Sequence, residues 1–172
     1  HRGSLLGFMA GGQPAQKGVE TALACALARM DPTRPIMVEA ESSKVGERVV
    51  PPTLWAAMKA ASRIEIDAPL DARAQYLADA YEDISADTAG LTAKLEILRR
   101  HRGGLVDGWL ALLQAGALKA LARALMDEHY DPTYRSGRTR HGADVLQRFD
   151  VADLGIDARA DLAGRIAAWI ET

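Results

Sequence analysis

The chain has 172 residues, a net charge of −2 and 48% hydrophobic residues. This composition predicts one globular domain and argues against a disordered or low-complexity protein. No apolar stretch approaches a membrane span of about 18 residues and no charged start leads into an apolar run, so we expect a cytoplasmic protein without membrane contact. The single cysteine, Cys25, excludes an internal disulfide and a multi-cysteine metal site.

The first third of the chain predicts an irregular opening, a helix, a strand and a second helix. Residues 1–15 are rich in Gly, Gln and Ser and predict a loop. Apolar residues at helical spacing predict a helix over residues 16–30. The apolar run 36–40 predicts the first strand, and after a polar loop a proline pair opens a helix that ends near Ala61.

The remainder predicts a second and a third strand separated by helices. The strands are 63–67 and 145–149, and the helices are 72–82, 88–100, 105–114, 117–129 and 158–170. Strands alternating with helices predict an α/β fold with a parallel sheet and right-handed crossovers. Three strands are too few for a parallel sheet among so many helices, and the chain starts with His1 instead of methionine. We therefore expect further strands upstream.

Acidic side chains follow the first predicted strand, at the sheet edge where open α/β proteins bind ligands. Glu39 and Glu41 share a face if the strand extends that far. Two close carboxylates repel each other, which raises a pKa or recruits a cation such as Mg²⁺, with Glu39 the expected ligand. The alternative is one buried, capped glutamate and one solvated glutamate at a strand end.

The next residues combine hydroxyl groups and positive charge in one loop: Ser42, Ser43, Lys44, Gly46 and Arg48. Hydroxyl, ammonium and guanidinium groups bind phosphate oxygens, and Gly46 permits a positive φ or a close backbone approach to an anion. The loop therefore predicts a phosphorylated ligand, although a solvated surface loop has a similar composition.

Four segments are informative in combination: residues 1–4 (His-Arg-Gly-Ser), 13–17 (Gln-Pro-Ala-Gln-Lys), 38–46 and 129–134 (His-Tyr-Asp-Pro-Thr-Tyr). In this order they resemble the C-terminal domain of tRNA 2-selenouridine synthases, over residues 1 to about 150. The resemblance implies a P-loop NTPase-like domain that follows an N-terminal rhodanese-like domain with a catalytic cysteine.

The implied chemistry acts on the wobble 2-thiouridine of tRNA. Selenium from selenophosphate replaces the sulfur through an S-geranylated intermediate made from geranyl diphosphate, and whether a nucleotide also binds stays open. The Gly-rich phosphate loop of such domains is absent from this chain, and Cys25 does not replace the rhodanese cysteine. We therefore interpret residues 1–172 as the C-terminal part of a P-loop-like domain, inactive without the segment upstream.

The resemblance assigns roles to the candidate residues. Glu39 and Glu41, with His1 and Arg2 near the reacting base, are the catalytic candidates, and Ser4 joins the loop residues as a contact to donor phosphates. The predicted tRNA contacts are Gln13, Gln16, Arg99, Arg100, Arg102, Tyr130, Tyr134, Arg135, Arg138 and Arg140, since cations neutralise phosphates and aromatic rings stack on splayed bases.

Each of these contacts has a structural alternative. The glutamines could cap the following helix, the arginines could be solvated or complement a helix dipole, and the tyrosines could cover a helix end. Pro132 is predicted to end the preceding helix at Asp131, and Gly103-Gly104 is predicted to be the hinge of a basic lid.

Two other functions remain open at the level of sequence. One is a P-loop small-molecule kinase, because residues 67–71 and the arginine-rich segment 99–102 are also typical of such kinases. The other is a non-catalytic tRNA-binding module that presents the substrate to another domain. Consumption of ATP would distinguish the kinase, and turnover that survives loss of Glu39 would favour the module.

Overall fold

The computed structural model describes residues 12–39, 42–80, 87–138 and 144–171, with the backbone alone for 135–138. The chain divides into two compact units, residues 1–61 and 62–172. The elements of the first unit are α1 (Gln16–Ala28), β1 (Lys44–Val45), β2 (Arg48–Val49) and α2 (Pro52–Ala60). Those of the second are β3 (Arg63–Asp67), α3 (Leu70–Ala80), α4 (Thr88–Gln114), α5 (Leu118–Leu125), a π-helical turn (Met126–Tyr130), α6 (Asp131–Arg138), β4 (Val145–Asp150) and α7 (Ile156–Ile170).

The second unit contains a small parallel sheet with a helix packed on it. Strands β3 and β4 pair in parallel, with Glu65 opposite Arg148 and Ile66 opposite Phe149. Phe149 lies in a core cluster with Val151 and with Leu162 and Ile166 of α7, which are one helical turn apart. The prediction of a helix-rich α/β fold with a parallel sheet is thus confirmed.

The helices of the second unit build a larger apolar core. Its most deeply buried large side chains are Leu95, Val106 and Trp109, all on α4 and at most 1% exposed. The Trp109 indole N–H donates to a carboxylate oxygen of Glu128 at 2.6 Å, so the polar atom of this buried ring is paired. Helix α5 contributes Leu121 and Leu125 to the core.

The described part of the first unit, residues 12–39 and 42–61, contains no buried residue. The apolar stripe predicted for α1 is exposed at Leu27 and Met30, which retain 38% and 44% of their surface. Cys25 is also exposed. The strand predicted at 36–40 is wrong over residues 36–39, because a strand needs a neighbour and no described strand pairs with these residues.

Two further predictions are corrected in the second unit. The helices predicted at 88–100 and 105–114 form one helix, α4, which is kinked at Arg102 (φ −136°, ψ 22°) instead of being separated at the glycine pair. Pro132 does not end a helix at Asp131, since residues 131–138 are helical. In the π-helical turn the Asp131 N–H bonds to Met126 O, five residues back, and this wider turn admits the proline ring that a regular turn excludes.

Within the described ranges, no helix is both long and apolar enough to cross a membrane.

Candidate functional site

The predicted phosphate-binding loop is an antiparallel hairpin. Lys44 pairs with Val49 and Val45 with Arg48, and the Val50 N–H donates to Ser43 O at 2.8 Å. Gly46 occupies the first turn position with φ +62°, and no described non-glycine residue has a positive φ. This is the type II′ pattern, whose twist matches that of the paired strands. Of the two roles left open for Gly46, the positive φ is observed, and the predicted loop is replaced by two short strands.

The two cations of the hairpin have different environments. Lys44 is exposed, and within the described part of the chain it has no ion-pair partner. Its backbone N–H donates to the Ser42 hydroxyl at 3.1 Å. Arg48 is half-buried and its Nε donates to Pro14 O at 2.6 Å. Because side chains alternate along a strand, Lys44 and Arg48 lie on opposite faces of the hairpin, and Lys44 is the cation available to an anion.

Gln13 and Gln16 bind the hairpin instead of capping α1. The Gln13 amide donates to Val45 O at 2.7 Å and accepts from the Glu47 N–H at 2.8 Å. The Gln16 amide donates to Val49 O at 2.8 Å and accepts from the Val49 N–H at 3.0 Å. The N-cap of α1, Ala15, has no side-chain cap. Both amides are therefore engaged within the chain, and their role in reading tRNA stays a prediction.

The acidic part of the site is described only in part. Glu39 is exposed and follows Ile36, Met37 and Val38, which retain 45%, 54% and 52% of their surface. Glu41 and the predicted residues His1, Arg2 and Ser4 lie outside the described residues. Among those described, no three His, Cys, Asp or Glu side chains come together as a metal site. The paired-carboxylate site therefore stays a prediction.

The basic segment of α4, residues 99–102, makes mostly intramolecular contacts. Arg99 pairs with Glu96 at 2.6 Å and with Asp107 at 2.9 Å, and these contacts hold its pKa above the ordinary value. The Arg102 Nε donates to Nδ1 of His129 at 3.2 Å. Arg100 is exposed and, as far as the described residues show, has no ion-pair partner. Arg100 is thus the arginine of this segment that is available to an external phosphate.

The His-Tyr-Asp-Pro-Thr-Tyr motif lies on the π-helical turn and the start of α6. The Asp131 carboxylate receives two hydrogen bonds from the Arg73 guanidinium, both at 2.8 Å. The rings of Tyr130 and Tyr134 stack at 6.4 Å with 21° between their planes, and the rings of His129 and Tyr130 meet edge-to-face at 4.8 Å. Tyr134 retains 39% of its surface.

The pKa of His129 lies below the ordinary value of 6.5, chiefly because of burial and further because of the positive charges of Arg102 and His101. A neutral imidazole is required here, since its Nδ1 accepts the hydrogen bond from Arg102. The kink of α4 is therefore tied to the π-helical turn by a hydrogen bond that protonation would break.

Comparison with known proteins assigns the chain to a family. The family model described as the tRNA 2-selenouridine synthase AAA domain matches residues 1–103. The chain belongs to the tRNA 2-selenouridine synthase family. The match includes the hairpin, the two glutamines and the basic segment of α4, whereas the aromatic motif lies beyond it.

Curated relatives carry the same name. The tRNA 2-selenouridine synthase of Shewanella loihica is 29% identical over 78% of this chain and 44% of its own length. That of Alcanivorax borkumensis is 29% identical over 85% of this chain and 48% of its own length. That of Cupriavidus necator is 30% identical over 96% of this chain and 53% of its own length. The chain thus spans about half the length of these relatives, and no solved structure matches it.

Other predicted contacts of this synthase-family chain are only partly described. Arg135 and Arg138 belong to α6, whose backbone alone is described there, and Arg140 lies outside the described residues.

Sequence reasoning missed the hairpin and the π-helical turn. The hairpin had a signal, since a Gly-X pair between β-branched and long side chains is a type II′ turn pattern. The π-helical turn had one in Pro132, placed inside an otherwise helical pattern.

Proposed function

We propose that this chain is the C-terminal part of a P-loop-like domain in a tRNA-modifying transferase, and that a rhodanese-like domain and the Gly-rich phosphate loop lie upstream. The enzyme converts wobble 2-thiouridine to 2-selenouridine through an S-geranylated intermediate. Family membership and the names of the curated relatives support the reaction, and the relatives' greater length supports the additional domain.

The observation that carries our assignment of the donor site is the environment of Lys44. Lys44 is exposed on a tight hairpin, its backbone N–H donates to the Ser42 hydroxyl, and no described residue forms an ion pair with its ammonium group. An uncompensated ammonium held on an ordered turn suits the phosphate oxygens of selenophosphate or geranyl diphosphate. We therefore assign donor binding to Ser42, Ser43 and Lys44, and a supporting role to Arg48, whose Nε bonds to Pro14 O.

In the first chemical step, the thiocarbonyl sulfur forms a bond to C1 of the geranyl group. The bond between C1 and the diphosphate oxygen breaks, and diphosphate leaves with the electron pair. Lys44 stabilises the charge that develops on the leaving group, and Glu39 accepts a proton or holds Mg²⁺. In the second step, the selenium of selenophosphate forms a bond to C2 of the uracil ring, the C2–S bond breaks, and geranylthiol leaves. Water then cleaves the Se–P bond, which releases phosphate and leaves selenium on the base.

The tRNA contacts that we propose lie in the second unit. Arg100 binds a backbone phosphate, and the Tyr134 ring stacks on a base. Because backbone phosphates supply most of the affinity in such complexes, tRNA binding should weaken steeply as the salt concentration rises.

The proposal is tested with the complete enzyme, geranyl diphosphate and a tRNA that carries wobble 2-thiouridine. Nucleoside analysis should show S-geranylated product, and Lys44→Gln should lower its rate at least about tenfold, as expected when one charge-assisted contact is lost. Lys119→Gln is the matched control, because Lys119 is exposed on α5 in the other unit. Equal rates for the two variants would refute the assignment of Lys44. ATP hydrolysis with no change in the tRNA would indicate the kinase instead.

A further inference from the structure

The segment Gln13–Gln16, which we call the clasp, makes five hydrogen bonds with the hairpin. Four involve the side-chain amides of Gln13 and Gln16, and the fifth runs from Arg48 Nε to Pro14 O. Their lengths lie between 2.6 and 3.0 Å, within the range of well-formed hydrogen bonds.

Each amide of the clasp takes the place of a peptide group in a neighbouring strand. Gln16 bonds both the N–H and the C=O of Val49, as the partner in an antiparallel hydrogen-bonded pair does. Gln13 bonds the C=O of Val45 and the N–H of Glu47, which lie on either side of Gly46. A residue in a parallel neighbouring strand bonds the two residues on either side of its partner in the same way. At Val49 the clasp therefore satisfies an N–H and a C=O that would otherwise lie at an open edge.

Gly46 is matched to the clasp by its size as well as by its backbone conformation. A Cβ atom at this position would lie 2.5 Å from Oε1 of Gln13 and 2.6 Å from its Nε2. Any larger residue would displace the Gln13 amide from both of its backbone partners. The turn residue and the glutamine thus fit as a pair.

The hairpin depends on these contacts for its order. Each strand has only two residues, and isolated hairpins are at best marginally stable in water. None of its described side chains is buried, so it lacks a hydrophobic anchor. Among the described contacts, the five hydrogen bonds of the clasp fix where the backbone of Lys44 lies relative to the start of α1.

We propose that Gln13 and Gln16 are positioning residues that preorganise the hairpin and so set its affinity for the anionic donor. This inference rests on the proposed function, because it takes Lys44 to be the donor contact. A preordered loop binds more tightly than one that must be ordered on binding. The two amides then act through the hairpin without touching the donor.

The test uses the 172-residue chain, with inorganic pyrophosphate as the anionic probe in calorimetry and amide hydrogen exchange as the report on the hairpin. Gln13→Met and Gln16→Met remove the hydrogen bonds without changing the charge, so any loss of affinity is not a direct charge effect. Each should weaken pyrophosphate binding about tenfold and speed exchange at the Glu47 and Val49 amides. Gln75→Met is the matched control, because Gln75 is exposed on α3 and bonds only across one turn to Asp79.

Lys44→Gln separates this inference from the proposed function. If the clasp acts through Lys44, Gln13→Met should cost much less affinity in the Lys44→Gln background than in the wild-type chain. Faster hairpin exchange with unchanged affinity would overturn the inference and leave the clasp a purely structural feature. Weaker binding with unchanged exchange would also overturn it, since the amides would then contact the anion directly.

A different result identifies failure of the proposed function itself. If Lys44→Gln leaves pyrophosphate affinity unchanged, or if the wild-type chain does not bind pyrophosphate, the donor is not held by this hairpin and the inference falls with it. Exchange at the core amides of α4 checks in every variant that the second unit is folded. Loss of their protection in a glutamine variant would overturn a role confined to the hairpin.

Discussion

Leu95, Val106 and Trp109 of the second unit are almost completely buried, whereas no described residue between 12 and 61 is buried. The second unit is therefore stabilised mainly by apolar burial. The described part of the first unit gets its order from hydrogen bonds between polar side chains and backbone, above all from the clasp to the hairpin. The donor loop that we propose is therefore ordered locally, and substitutions should affect the two units through different forces.

Leu95→Ala should have the largest effect, because it removes a side chain that is 0% exposed and leaves a cavity in the second unit. We expect a loss of about 3 kcal/mol in the free energy of unfolding, measured by chemical denaturation. Ile97→Ala on the same helix is the control, since Ile97 is 61% exposed and its truncation should cost at most about 0.5 kcal/mol. Equal losses for the two variants would refute the burial contrast along α4.

Asp131→Asn should lower the free energy of unfolding by about 2 kcal/mol, because it breaks the ion pair with Arg73. The side chains of Arg73 and Asp131 are only 34% and 17% exposed. The more exposed pair of Arg123 and Asp71, at 53% and 63%, supplies the control Asp71→Asn, expected within about 0.5 kcal/mol of wild type. The measurement is again the free energy of unfolding. A larger loss for Asp71→Asn would show that the half-buried pair is not the stronger one.

Gly46→Ala tests the hairpin of the first unit. Alanine would have to adopt the positive φ of this position, and its Cβ would lie against the Gln13 amide. We expect a local cost of about 1 kcal/mol, so the hairpin amides should exchange about tenfold faster. Gly103→Ala is the control, since a Cβ there meets no atom within 4 Å in a helix that alanine favours. Unchanged hairpin exchange in Gly46→Ala would contradict the fit between turn and clasp.

The smallest effect should be a pH dependence from His129. Its pKa in the folded protein lies below the ordinary 6.5, so between these values the unfolded chain binds more protons and stability falls as the pH is lowered. His129→Asn keeps a hydrogen-bond acceptor near the position of Nδ1, but the asparagine side chain does not titrate. It should therefore flatten the dependence of unfolding free energy on pH between about 7 and 5. Identical pH profiles for the variant and the wild-type chain would exclude this coupling to Arg102.

The elements predicted best are those that depend on local pattern or on a core within the chain. The strand at 63–67 matches β3 in both bounds, and α7 ends at Ile170 as predicted. Leu162 and Ile166 of this helix are buried in the cluster with Phe149. The strand expected at 36–40 failed over its described part, because pairing depends on partners that a local pattern does not specify.

The candidate site was predictable in its residue types and less so in their arrangement. Gly46 has the positive φ that was one of its two expected roles, whereas the basic segment lies inside α4 instead of at the end of a helix. The engagement of Gln13 and Gln16 was not foreseen, since their partners lie 32 to 34 residues away and are backbone atoms that carry no sequence signal. Nor did composition show that Arg99 and Arg102 are tied to Asp107 and His129.

The most direct test of the central claim, that the hairpin holds the phosphorylated donor, is a titration of the chain with pyrophosphate followed through its amide NMR signals. We predict saturable shifts concentrated at residues 42–48, the segment that carries Lys44. Shifts confined to the basic segment of α4, or no saturable shifts anywhere in the chain, would contradict the claim.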